Sequence, residues 1–374
     1  MKDRDLHVAL ISPWQTGGGL ANYSKRLQEA LDAVGIRVTV VPITHTETWN
    51  PVRFNNIIDR IPPDTDVVHV QYEAGVFGRL GVSGICTPSF YARLMQIDTT
   101  VVTTIHEVHR LSAERSPIKR AVIGARDWVV ERTILTASDT TIVHTANAEN
   151  ILRERHGDRW SLKRMRHPVD EPIAAPMNQD VAREAFDIDS EIVLLTFGWV
   201  ESKKQYTDVI HCLKYLPEAT YLIGGEPRHE SDKTALEEVF ALASQLGVRD
   251  RVRHLGYVAE EDLPTLFGAT DVAIAPYEQV TQSGAINTAL AYHCPVIASA
   301  LPAFEELAAD YECVLIYHDH ETLLNLLRDT TTRNTQEQLC KAAKQYAKEE
   351  TWSSFAEDTA ALYVTEESTI EIGN

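Results

Sequence analysis

Short apolar runs rich in β-branched residues recur along the chain and alternate with stretches whose apolar positions repeat at helical spacing. Leu6 to Ile11 is the first such run. A turn-rich PWQTGGG follows, and then LANYSKRLQEALDAVG places Leu20, Tyr23, Leu27, Ala30 and Leu31 near one helical face. The valine-rich run Ile36 to Ile43 completes a β-α-β opening, and Asp66 to Gln71, Thr100 to Ile105 and Thr140 to His144 repeat the strand type. Runs that are apolar nearly throughout, rather than alternating, predict a parallel sheet covered by helices on both faces.

A proline-containing tract, HPVDEPIAAPMNQD at 167 to 180, interrupts this rhythm, and EIVLLTFG then begins a second series. Ile192 to Phe197, Ala219 to Ile223, Val252 to Leu255, Val272 to Ala275, Pro295 to Ala298 and Cys313 to Ile316 read as strands. Asp208 to Leu216, Lys233 to Leu246, Glu261 to Phe267 and Ala285 to Tyr292 read as the helices between them. The expectation is an α/β chain of two domains, 1–170 and 171–350, with 351–374 as a closing helix and acidic tail. Gln336 to Tyr363 is expected to be one helical segment kinked near Thr351 to Ser354, and TEESTIEIGN a frayed end. A single large barrel fits the interruption less well.

Length and composition agree with two cores: 374 residues, 44% hydrophobic and 24% charged. Against 35 Lys and Arg stand 54 Asp and Glu, a formal charge of -19, which argues against an extended nucleic-acid groove. The five cysteines lie far apart without a C-x-x-C pair, so neither a disulfide framework nor a thiolate metal site is expected. No run approaches the roughly 20 apolar residues of a membrane span, and a cytoplasmic protein is expected.

Three loops that follow strand ends carry candidate chemistry. In TGGGLANYSKRL, Gly17 and Gly18 permit close backbone approach to an anion ahead of a helix N-terminus, with a plain tight βα connection as the lesser alternative. Dinucleotide binding ranks low, because Thr44 and His45 follow the second strand where a ribose-binding acid would stand; no P-loop lysine pattern occurs either. In FGWVESKKQYTDVI, Gly198 ends a strand and Lys204 precedes a helix, a second anion seat; Lys203 reads more simply as an exposed charge. In QVTQSGAINTALA, Ser283 and Gly284 open a helix and offer N–H groups to phosphate oxygens, with simple capping by Ser283 as the rival reading.

These loops and their spacing resemble the family-four glycosyltransferases over nearly the whole chain. The resemblance rests on GGGLANYSKRL, TIHEVH at 104 to 109, FGWVESKK, GYVAEEDLPTLFGATDVAIAPY at 256 to 277, QSGAINTALAYHCPVIAS at 282 to 299 and ETWSSFAEDTAALY near the end. It implies two facing Rossmann-like domains of the GT-B arrangement, an interdomain cleft, and a C-terminal helix returning to the first domain. The implied activity is transfer of a sugar from a nucleoside-diphosphate donor to an acceptor hydroxyl with retention, the departing phosphate assisting and no metal or other cofactor required.

Carried over residue by residue, the resemblance sets Gly17 and Gly18 near the donor, His106 beside the transferred sugar, and Lys204 on the diphosphate. Gly198, Ser283 and Gly284 fall in the phosphate loops. The family's two glutamates fall here on Val280 and Thr288, so Thr288 is left to bond a ribose and Glu278 to act as a substitute contact. Its usual arginine is replaced by Trp199, which leaves Lys203 or Arg228 to supply the charge. Acceptor recognition is expected in the first domain, at Tyr72, Phe77, Arg79, Arg110, Arg115, Lys119 and Arg120. Residues 119 to 132 read as an amphipathic helix facing either lipid or core, which leaves peripheral membrane contact open. A sugar-nucleotide epimerase of the same plan and a noncatalytic nucleotide-sugar-binding protein remain the alternatives.

Overall fold

The computed structural model describes residues 6–14, 18–44, 47–78, 83–110, 116–330 and 333–364. They form two compact units: one takes the chain up to His167 and again from Trp352, the other Pro168–Thr351. In the first, β1 (His7–Pro13), α1 (Gly19–Ala33) and β2 (Arg37–Ile43) are followed by α2 (Pro51–Asn55), β3 (Val67–Tyr72), α3 (Thr87–Leu94) and β4 (Thr100–Ile105). Then come α4 (Pro117–Ala137), β5 (Thr140–Val143), α5 (Ala146–His156) and β6 (Leu162–Arg164). All strands pair parallel in the order β2-β1-β3-β4-β5-β6.

The second unit opens with α6 (Gln179–Ala185), β7 (Ile192–Phe197), α7 (Tyr206–Leu213), β8 (Ala219–Gly224), α8 (Lys233–Gln245) and β9 (Val252–Gly256). It continues through α9 (Leu263–Ala269), β10 (Val272–Ala275), α10 (Gly284–Ala291), β11 (Val296–Ser299), α11 (Pro302–Tyr311), β12 (Val314–Tyr317), α12 (His320–Thr330) and α13 (Arg333–Glu349). The parallel order is β9-β8-β7-β10-β11-β12, so the direction of winding reverses between β7 and β10. In such a sheet the loops leaving the C-terminal ends at that reversal form a natural ligand crevice.

Burial on both faces explains the continuous apolar runs. In β1, Ala9 and Ile11 join a core with β3 and α3, whereas Val8 and Leu10 point the other way against Tyr23, Leu27 and Leu31 of α1. In β7, Val193 and Leu195 pack with Ile286, Ala289 and Leu290 of α10, and Leu194 packs with Val209, Ile210 and Leu213 of α7. Full burial of each valine, leucine or isoleucine among them contributes about 1.5–3 kcal/mol.

The kink expected near Thr351 to Ser354 is a full break between Glu349 and Trp352, so Gln336 to Tyr363 lies in two helices. Helix α13 belongs to the second unit and ends at Glu349, and α14 (Trp352–Tyr363) packs on α1 of the first. Between them the backbone extends: Thr351 bridges Val169, whose N–H donates to the Glu350 carbonyl at 2.7 Å. This pairing with Val169 holds the chain extended between the two helices. The TEESTIEIGN end lies outside the described residues.

Candidate active site

At the reversal in the second sheet, the β7–α7 and β10–α10 loops are tied together by backbone. Lys204 and Tyr277 form an antiparallel bridge, and the Glu278 N–H donates to the Lys203 carbonyl at 2.8 Å. Lys204 is only 4% exposed, and its Nζ donates to the Phe197 carbonyl at 3.0 Å while lying 5.2 Å from the Tyr277 ring centroid. Burial drives its ammonium down to about pH 7; Glu201 opposes the shift and Lys203 adds to it.

Gly198 adopts φ +89°, and a Cβ there would meet Ala285 Cβ at 3.0 Å and stand 3.7 Å from Lys204 Nζ. Only glycine suits that backbone and that proximity. Ser283 caps α10, accepting the Ile286 N–H at 3.3 Å, and its hydroxyl also lies 3.2 Å from the Tyr277 hydroxyl. The first turn of α10 holds no acidic residue, and nothing lies within 4 Å of a Cβ built on Gly284. Gly198, Lys204, Ser283 and Gly284 therefore gather around Tyr277, a residue the sequence reading passed over although its buried ring holds the two loops together. A buried cation and an open helix N-terminus at one place suit a doubly charged anion.

The remaining candidates are placed differently. The Thr288 hydroxyl donates to the Gly284 carbonyl at 3.0 Å, and Glu278 is exposed. Lys203 and Arg228 share one carboxylate, Glu201, at 3.3 and 3.1 Å, and Trp199 is half exposed.

In the first unit Gly18 caps α1 at φ 154° with no side-chain cap; Gly17 lies outside the described residues. His106 follows the C-terminal end of β4, 8% exposed, with its Nε2 2.9 Å from Gln71 Oε1. Its ring packs edge-on to Tyr23 of α1 at 4.7 Å and lies 5.1 Å from the His144 ring. Burial first, then the neighbouring His144, His167 and His69, hold its imidazolium well below the ordinary histidine range. This is a neutral, oriented ring.

The expected acceptor patch needs correction. Tyr72 and Phe77 are buried, 3% and 0% exposed, because they pack in an aromatic cluster with Phe54, Phe90 and Tyr91, and the Tyr72 hydroxyl reaches Thr87. Arg110 pairs with Glu154 at 3.0 Å, Lys119 and Arg120 are exposed on α4, and Arg79 and Arg115 lie outside the described residues. Helix α4 is divided: Val130, Ile134 and Leu135 are buried, whereas Ile118, Val122, Trp128 and Val129 are exposed. Among the described residues no helix is long and apolar enough to cross a membrane, and no cluster of three or more His, Cys, Asp or Glu side chains is arranged to hold a metal ion.

Residues 178–350 match the sequence profile of the family described as Glycosyl transferases group 1. The chain is a relative of the family-four, GT-B-fold glycosyltransferases. The D-inositol 3-phosphate glycosyltransferase of Mycolicibacterium smegmatis is 25% identical over 310 residues, a match covering 80% of this chain and 67% of that one. Against the corresponding proteins of two further mycobacterial sources the match spans only about half of the relative, 47% and 52%. Among solved structures, the sucrose-phosphate synthase of Thermosynechococcus elongatus superposes with TM-score 0.76 at 18% identity, over 98% of this chain and 100% of that one. The Anabaena Alr3699/HepE structure in complex with UDP-glucose gives 0.72 at 13%, over 96% and 99%. The glycosyltransferase fold thus spans both units, while the matched profile lies wholly in the unit that carries Lys204.

Proposed function

We propose that this glycosyltransferase relative moves a sugar from a nucleoside-diphosphate donor to an acceptor hydroxyl with retention of anomeric configuration. The observation that carries the reading is Lys204: a lysine buried with no carboxylate in ion-pair contact among the described residues, beside Gly198 and the Ser283–Gly284 helix start, is costly unless an anion completes the site. The diphosphate is that anion. As the anomeric carbon–oxygen bond breaks, the electron pair goes to the departing phosphate, and Lys204 with the α10 amides stabilises the charge that grows there. The acceptor oxygen attacks from the same face and gives its proton to the departing phosphate oxygen, so no protein carboxylate acts as nucleophile. His106, neutral and fixed, positions the sugar. Because a relative of the same fold is described with UDP-glucose, a uridine diphosphate sugar heads the list of donors.

The test is a melting screen against uridine, guanosine and adenosine diphosphate sugars, repeated with Lys204→Ala, followed by NMR of the product anomeric centre. One donor should stabilise the wild type and not the variant, and the product should keep the donor's configuration. Stabilisation that survives in Lys204→Ala removes the anion seat; an inverted product removes the same-face mechanism. Donor consumed without any acceptor would favour an epimerase or hydrolase instead.

A further inference from the structure

Strand β3 reads VVHVQY, and its two polar side chains, His69 and Gln71, are both 0% exposed on the same side of the strand. Their bonding is connected. Gln71 Oε1 lies 2.9 Å from His106 Nε2, and Gln71 Nε2 lies 3.1 Å from His69 Nε2. His69 Nε2 also meets the Thr104 hydroxyl at 2.8 Å, and His69 Nδ1 meets the Tyr363 hydroxyl of α14 at 2.7 Å. With the carboxamide so placed, its oxygen accepts the His106 Nε2–H and its nitrogen donates to His69 Nε2. His69 Nδ1–H then donates to Tyr363. This polar chain, with every link made, is buried, where each unmade link would be costly.

We propose that Gln71 is a positioning residue for His106, fixing the Nε2–H tautomer so that Nδ1 faces outward as an acceptor, and that Tyr363 anchors this chain from the C-terminal helix. The proposal rests on the reading of His106 as the sugar-positioning group, and it adds what sets that ring's tautomer and angle. An Nδ1 acceptor suits a sugar hydroxyl, which donates its proton to the ring; the alternative tautomer would present a donor there. The groups facing His106 are Tyr23 from α1, His144 and His167, and Gln71 with His69 behind it. Among the described residues no carboxylate is in ion-pair contact with it, and burial keeps the ring neutral, with Nδ1 free of a proton.

The experiment uses the full chain with ¹⁵N-labelled histidine, comparing wild type, Gln71→Glu, Gln71→Leu and Tyr363→Phe. In the wild type the His106 nitrogen shifts should report Nε2–H. Gln71→Glu should raise the pH at which His106 titrates and carry the acid limb of kcat upward with it, while UDP binding, measured by calorimetry, stays unchanged. Gln71→Leu should lower kcat about tenfold with donor KM nearly constant, and Tyr363→Phe about threefold in the same parameter. Thermal melts identify a variant that fails to fold, and Tyr363→Phe, which keeps its ring, serves if Gln71→Leu does. An Nδ1–H tautomer, or a His106 titration indifferent to Gln71→Glu, overturns the proposal. A titration that moves while the rate profile stays still overturns it through its premise, the role of His106 in transfer.

Discussion

At Lys204, burial and the proposed anion contact pull in opposite directions. Its folded-state value of about 7 lies below the ordinary lysine value, so the folded chain binds fewer protons than the unfolded chain between those limits. The resulting stability cost grows as pH falls from about 10 towards 7 and is constant below that. Lys204→Met should therefore stabilise the protein by about 1–4 kcal/mol at pH 7, with little effect near pH 10, while abolishing nucleotide-induced stabilisation. Denaturant unfolding at the two pH values checks it; a destabilised variant at pH 7 rules out an uncompensated buried charge. Diphosphate binding must restore the proton, so affinity for UDP should weaken about tenfold per unit between pH 7 and 9. Isothermal titration across that range, with proton uptake read from buffers of different ionisation heat, tests the linkage. Lys204 stood out in the sequence because a lysine just before a helix and after a strand-ending glycine has few structural uses. Gln71 did not stand out, since a polar residue at a strand end resembles the start of a loop; its place beside His106 needs the β3–β4 register, which sets Gln71 opposite Thr104, two residues before His106.

The elements show where sequence patterning reaches and where it stops. Eleven of the strands were legible as β-branched runs, but β6, the three residues Leu162–Arg164, has one buried side chain and two exposed ones and too little pattern to register. Helices α11 and α12 were passed over although α11 begins with Pro302 at a standard starting position. The α13–α14 break was legible in place, near Thr351, but not its extended form, which goes with the pairing of Thr351 and Val169. In the proposed anion seat, α10 depends on Ser283 both for its cap and for its link to Tyr277. Ser283→Ala should cost about 0.5–2 kcal/mol of stability, and Ser283→Gly only a few tenths. If Ser283 serves only as a cap, the glycine variant should retain donor affinity; chemical denaturation and UDP binding on both variants separate capping from ligand contact.

Across the whole molecule, the two units differ in how they should answer acid. The first buries His69 and His144, each pushed down by desolvation to about 3, together with His106, held well below its usual range. Each stays neutral when folded and takes a proton when unfolded, so its contribution is complete above about 6.5 and is lost as pH falls towards 3. Every such histidine removes about 1.4 kcal/mol per pH unit within that window. Calorimetry should show the transition of the first unit moving to lower temperature ahead of that of the second between pH 6 and 4, and His144→Asn should flatten the trend. Coincident transitions at every pH would show that the buried histidines do not govern acid stability.

The excursion of the chain through the second unit before α14 reaches α1 has a consequence for biosynthesis. A ribosome that has made β1 to β6 has not yet made Phe355, Ala356 or Tyr363, which seal the outer face of β1, so the first half must wait with Val8 and Leu10 incompletely covered until some two hundred further residues have emerged. Nascent chains stalled just past residue 350 should be protease-sensitive in their first half, and a separately supplied peptide spanning 352–364 should protect them.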